Sequence, residues 1–165
     1  MGEFNMSIES GDAVYALKTG KIDALGHQAN MRGVMGAGIA KTIKNVYPMS
    51  FIEYRDACLS KKFNLGDILV SDVGNGRYIV HLAGQDGYST LKRQTNYEAL
   101  EQALQKFADF CLASNLRPGL PYGIGCGLGG GDWAIVSSII DKVFGDKITL
   151  YKYDKHARPE IGIFY

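Results

Sequence analysis

A chain of 165 residues is long enough for one domain with a real core. Its hydrophobic content of 46%, charged content of 21% and net charge of +1 are those of an ordinary folded protein, and no global basic field recommends nucleic acid as a partner. The cysteines, Cys58, Cys111 and Cys126, are odd in number and lack metal-ligand spacing, which argues against a disulfide scaffold or a metal centre. No apolar run reaches the roughly 18 residues of a membrane span and no signal-peptide pattern is present, so the expectation is a cytoplasmic protein that needs no membrane. Met1-Gly2-Glu3-Phe4-Asn5 precede a second methionine and read as a cloning remnant, leaving residues 6–165 as a single domain.

In chain order, residues 7–10 form a short strand closed by Gly11-Asp12, and residues 22–29 a stronger one whose end carries His27, Gln28 and Asn30. The next helix sets Ile39, Ile43, Val46 and Tyr47 on one face and stops before Pro48. A weaker helical segment spans 50–59. Residues 67–73 and 77–83 are strands joined across Gly74-Asn75-Gly76, a hairpin signal. Residues 84–95 read as a polar surface loop. Thr95-Asn96-Tyr97-Glu98 has the form of a capping box, opening a helix with Tyr97, Leu100, Ala103, Leu104, Phe107 and Cys111 on one face. Residues 116–124 are strand-like, but Pro118 and Pro121 predict a bent strand or one at an edge of regular pairing. A helix carrying Trp133, Val136, Ile139 and Ile140 and a strand at 147–153 complete an alternation that predicts a three-layer α/β domain with a largely parallel or mixed sheet.

Two glycine-dense turns interrupt this pattern, each between a strand and a helix. The first carries Gly33, Gly36 and Gly38; the second runs from Gly123 to Gly131. Glycine lets the main chain take positive φ and lets a ligand approach without a Cβ in the way. A following helix offers unpaired N–H groups and a positive dipole end, which favour an anion. In α/β sheets both turns would lie beyond the carboxyl ends of strands, where ligands settle. Two such loops suggest a ligand with two phosphates. Neither is a nucleoside-triphosphate loop: Lys41-Thr42 follows Ala40, and both required glycines are missing. Gly125-Cys-Gly127-Leu-Gly-Gly130 matches the dinucleotide fingerprint in letters, but it lies too near the end of the chain and too far from the first strand for a dehydrogenase domain.

The run from His27 through Gln28-Ala29-Asn30 to Gly33-Val-Met-Gly-Ala-Gly-Ile-Ala40, followed by Tyr47-Pro48, resembles the first ligand loop of macro domains. Ile124-Gly-Cys-Gly-Leu-Gly-Gly-Gly-Asp-Trp133 resembles their second, Gly11-Asp12 the pair after their early strand, and residues 147–151 their last strand. The resemblance spans residues 7 to about 153 in order. It is nearest the branch with terminal ADP-ribose protein glycohydrolase and ADP-ribose 1″-phosphate phosphatase.

That resemblance implies a three-layer α/β/α fold with a central mixed sheet, and ADP-ribose as ligand. It also implies hydrolysis of a distal-ribose derivative, either ADP-ribose 1″-phosphate or an ADP-ribosyl ester on protein or nucleic acid. No cofactor is implied. By position, Asp12 accepts from the adenine amino group. Gly33 and Met35, Gly36, Ala37, Gly38 and Ile39 hold one side of the diphosphate. Gly125, Cys126, Gly127, Leu128, Gly129 and Gly130 hold the other, and Tyr151 lies near the adenine or its ribose. Asn30 contacts the distal ribose. His27 stands where the phosphatase has histidine and is a candidate acid, base or phosphate ligand, with Asp86 to orient a water.

Other readings exist for several of these residues. Asp12 also suits a turn or helix cap and His27 a buried strand end, and Asp132, a second candidate to orient the water, suits the cap of the Trp133 helix. His81 reads as core. The lysine and aspartate of the glycohydrolase pattern correspond to Gln85 or Asp86 and to Gly129, so a covalent lysine mechanism is disfavoured. Their loss leaves open a module that binds ADP-ribose without turning it over. An RNA-binding domain is a third reading, opposed by the near-zero charge.

Overall fold

The structure, a computed structural model, describes residues 6–87 and 92–153. The elements are, in order, β1 (Ser7–Ser10), α1 (Ala13–Lys18), β2 (Ala24–Ala29), α2 (Gly38–Val46), α3 (Pro48–Leu59), β3 (Ile68–Gly74), β4 (Arg77–Ala83), α4 (Tyr97–Ser114), β5 (Pro118–Pro121), α5 (Trp133–Phe144) and β6 (Thr149–Lys152). The strands form one mixed sheet in the order β1-β6-β5-β2-β4-β3. Every pairing is parallel except the β3–β4 hairpin.

Each face of the sheet is covered. Leu100, Leu104 and Phe107 of α4 and Val136 and Ile140 of α5 pack with Val80, Leu82, Leu120 and Leu150 on one side. On the other, Val14 and Leu17 of α1, Ile43 of α2 and Tyr54 of α3 pack with Leu25, Ile79 and Tyr151. Burying strands on both faces is what a parallel sheet requires, and Ala24 and Leu25 of β2 with Ile79, Val80, Leu82 and Ala83 of β4 are all fully buried. The architecture is therefore three-layer α/β/α. Among the described residues no helix is long and apolar enough to cross a membrane.

Three local expectations change. Helix α1 is only six residues long, too short to leave a periodic signature in the sequence. Strand β5 is neither bent away nor at an edge; it sits between β2 and β6. Its prolines occupy its two ends, so the lost N–H groups fall at the ends of a four-residue ladder in which Gly119 and Leu120 form the middle. The cap of α4 is Asn96, whose side chain accepts from the Ala99 N–H at 3.0 Å. Thr95 is engaged elsewhere.

A candidate ligand cleft

Parallel strands place their carboxyl ends on one rim, and the turns that leave β2, β4, β5 and β6 enclose a cleft of about 500 Å³ there. One wall is the first glycine turn and the start of α2: Val34, Gly36, Ala37, Gly38, Ile39 and Ala40. The opposite wall is the second turn, from Gly123 to Gly125 and from Gly127 to Gly129. Gln28, Asn30 and Gln85 lie at the end where β2 and β4 finish, and Tyr122, Tyr151 and Tyr153 at the end where β5 and β6 finish.

Both walls offer main-chain donors. Helix α2 is preceded by Ala37, which has no side chain able to cap it. Gly38, its first residue, sits at φ +59° with open space where a Cβ would be, so the backbone angle and not crowding calls for glycine. The N–H groups of Gly36 and Ala37, and of Gly127, Leu128 and Gly129 opposite, donate to no acceptor among the described residues. Opposed rows of unpaired N–H groups, one at a helix N-terminus, are suited to an anion with oxygens on two sides.

The second turn is braced from beneath. Gln28 Nε2 donates to Gln85 Oε1 at 2.7 Å and to Thr95 Oγ1 at 2.8 Å, and Thr95 Oγ1 donates onward to the Gly125 carbonyl at 2.7 Å. Gln85 Nε2 donates to the Gly87 carbonyl at 2.6 Å. The Gly129 carbonyl accepts from the N–H groups of Gln94 and Thr95, and the Gly125 carbonyl from that of Gly131.

His27 takes no part in the cleft. Parallel pairing sets it opposite His81. The two imidazoles meet at 2.7 Å (Nε2 to Nδ1), and His81 Nε2 lies 2.9 Å from Ser50 Oγ of α3. Both histidines are 0% exposed. Burial lowers the His27 pKa to about 4 and that of His81 well below 6.5, so the pair is neutral at physiological pH.

These features match a known pattern. The sequence model of the Macro domain family covers residues 27–140, which hold both turns and the three strands between them. The chain belongs to the Macro domain family. It is 31% identical over 134 residues to the human ADP-ribose glycohydrolase OARD1, covering 79% of this chain and 82% of that protein. It is 23% identical over 153 residues to the DNA ADP-ribosyl transferase-DNA ADP-ribosyl glycohydrolase fusion protein of Thermosipho africanus, of which it spans 38%. Among solved structures, a protein of unknown function from Bacteroides thetaiotaomicron superposes with a TM-score of 0.82 at 26% identity, over 92% of this chain and 99% of that one.

In this macro domain the expected ligand residues separate into two groups. Asn30, Gly36, Ala37, Gly38, Ile39, Gly125, Gly127, Leu128, Gly129 and Tyr151 are brought together around the cleft. Gly33, Met35, Cys126, Gly130 and Asp12 are not among its lining residues. Gly33 turns against Arg55 and Cys58 of α3, and Met35 is buried in the core below α2. Cys126 directs its thiol at the Ile124 carbonyl, and burial raises its pKa to about 11, which leaves it a thiol and not a nucleophile.

Asp12 caps α1, its Oδ1 accepting from the Tyr15 N–H at 3.0 Å. It follows Gly11, whose N–H bonds the Lys152 carbonyl, and so stands beside the tyrosine end of the cleft. The acid–base role expected of His27 is withdrawn, because a fully buried imidazole engaged with His81 reaches no ligand. Asp86 is exposed and its carbonyl accepts from the Met31 N–H at 2.9 Å, which sets the residue next to Asn30. Asp132 caps α5.

Gln28 is the principal residue the sequence reading passed over. Side chains alternate along a strand, so choosing Asn30 for the cleft implied Gln28 and not His27.

Proposed function

We propose that this macro domain binds ADP-ribose and hydrolyses an ADP-ribosyl linkage at the distal ribose. The observation that carries the reading is the pair of opposed main-chain cradles, suited to the two sides of one diphosphate. The tyrosine end then takes the adenosine half, and the Asn30 end the distal ribose. The name and 31% identity of the human glycohydrolase support the direction of the chemistry.

Hydrolysis at that end uses Asn30 to orient the distal ribose and Asp86, which lies beside Asn30 and outside the cleft's own lining, to accept a proton from the attacking water as the bond from the ribose to its acceptor breaks. The phosphatase version, acting on ADP-ribose 1″-phosphate, leaned on His27 and loses its acid–base group. An ADP-ribosyl ester on protein or nucleic acid is the preferred substrate. A second reading, a module that binds ADP-ribose and leaves it intact, is favoured by one observation. Tyrosines apart, no ionisable side chain lines the cleft among the described residues.

Calorimetry with ADP-ribose, followed by incubation with an ADP-ribosylated ester substrate and with ADP-ribose 1″-phosphate, separates these readings. Release of ADP-ribose from the ester is the expected result, lost in Gly125→Glu, whose side chain would fill the second wall. Tight binding without turnover of either substrate supports the binding module. No heat at millimolar ADP-ribose rejects both.

A further inference from the structure

We propose that Tyr54 of α3 is a positioning residue that fixes the Asn30 carboxamide for the distal half of the ligand. The inference rests on the proposed reading of the cleft. The Asn30 side chain is almost entirely committed to its own surroundings. Its Oδ1 accepts from the N–H groups of Arg32 at 2.9 Å and Val34 at 3.4 Å, and its Nδ2 donates to the Val34 carbonyl at 2.8 Å. A main-chain N–H can only donate and a carbonyl only accept, so the amide has one orientation. One of the two Nδ2 hydrogens is used on Val34, which leaves the other for a ligand in the cleft that Asn30 lines.

The loop alone does not hold this arrangement. The Tyr54 hydroxyl lies 2.7 Å from Asn30 Oδ1 and 2.8 Å from the Asn30 carbonyl, so it ties both the side chain and the main chain of that residue to α3. Tyr54 is itself immobilised. It is completely buried, stacked on His81 at 5.2 Å with the rings 22° apart, and met edge-on by Phe63 at 5.9 Å. His81 is held in turn by Ser50 and His27. Burial raises the phenol pKa further above its ordinary value, so the hydroxyl keeps its proton and remains a donor. The buried histidines thus have a place beneath the site: they form the platform under the tyrosine that aims Asn30.

The test compares ADP-ribose with ADP, which carries the same diphosphate and adenosine but no distal ribose. Tyr54→Phe keeps the ring and removes one hydroxyl. The variant is expected to lose about threefold to tenfold in ADP-ribose affinity with ADP affinity unchanged, the size of a single neutral hydrogen bond. Combined with Asn30→Ala, it is expected to add nothing further for ADP-ribose, because the two residues act through one contact. Phe63→Leu loosens the packing on Tyr54 while keeping its hydroxyl. It is expected to lower the melting temperature and to weaken ADP-ribose relative to ADP less than Tyr54→Phe does, because the hydroxyl contact to Asn30 survives.

Equal losses for both ligands in Tyr54→Phe, or additive losses in the double variant, overturn the positioning role. Wild-type protein that binds neither ligand overturns the reading of the cleft itself, a distinct result.

Discussion

Gln28 and Thr95, far apart in the chain, meet at 2.8 Å beneath the second glycine turn, and Thr95 passes the contact on to the Gly125 carbonyl. One hydroxyl thereby links the end of β2 to the turn that offers the N–H groups of residues 127–129. A main-chain anion site gains affinity when its donors are held in place before the ligand arrives, because less ordering remains to be done on binding. Thr95→Val keeps the shape and removes the link, leaving the half-buried Gln28 amide and the Gly125 carbonyl each one partner short. The expected cost is about 1–3 kcal/mol of stability. ADP-ribose affinity should fall as well, read by denaturant melts and calorimetry. Unchanged affinity would show that the turn holds its shape without Thr95.

Gly129 follows from the same network. A Cβ built there would lie 2.5 Å from Thr95 Oγ1, 2.8 Å from the Gly125 carbonyl and 2.9 Å from Gln28 Nε2. The aspartate of the glycohydrolase pattern therefore has no room at this position. Gly129→Asp is expected to disrupt the brace, weaken ligand binding and confer no new turnover. Gly129→Ala alone should cost about 1–3 kcal/mol through overpacking. A Gly129→Asp variant that gains activity in a release assay would show that the network yields more readily than its distances suggest.

Much of this arrangement could be read in the letters, and the parts that could not have definite reasons. Periodicity located α2, α4 and α5, and Gly74-Asn75-Gly76 located the β3–β4 hairpin, because each is a local signal. The side of the sheet to which His27 points follows only from the alternation that runs back from Asn30 through Gln28, and not from any polar pattern in β2 itself. Strand β2 is buried on both faces, so no alternation of apolar and polar residues marks the direction of each side chain. The pairing of Thr95 with Gln28 is long-range. A threonine followed three residues later by glutamate reads as a capping box, yet the cap is Asn96 and the threonine serves the cleft. The prolines of β5 misled in the same way: their effect depends on which residues the neighbouring strands address, which only the assembled sheet determines.

The buried histidines make a prediction about acid. In the folded state the His27 pKa falls from 6.5 to about 4, and His81 also lies well below 6.5. Between those values and 6.5 the unfolded chain binds more protons than the folded one, so stability rises with pH through that window. It is fully present above about pH 7 and is lost as pH falls from about 6.5 toward 4. Urea midpoints measured at pH 7.5, 6 and 5 should show this decline, and His27→Leu should flatten it. A midpoint constant from pH 7.5 to 5 in the wild-type protein would mean that the pair takes up protons inside the fold as readily as in the unfolded chain.

Asp86 carries the last prediction, since it is the carboxylate assigned to the water. It is exposed, and its main chain is bonded to Met31 beside Asn30, so changing its side chain leaves that bond intact. Asp86→Asn removes the proton acceptor at nearly constant size. A lost general base lowers turnover by about 10²- to 10⁴-fold. ADP-ribose binding should stay near the wild-type value, because the proposed reading gives the diphosphate to the main-chain cradles and the ribose contact to Asn30. The measurement is kcat on an ADP-ribosyl ester together with the calorimetric Kd for ADP-ribose, in the same preparations. A variant with unchanged kcat removes Asp86 from the chemistry. A variant that loses affinity and turnover in equal proportion makes it a binding residue, since a group acting only on the water contributes nothing to the ground-state complex.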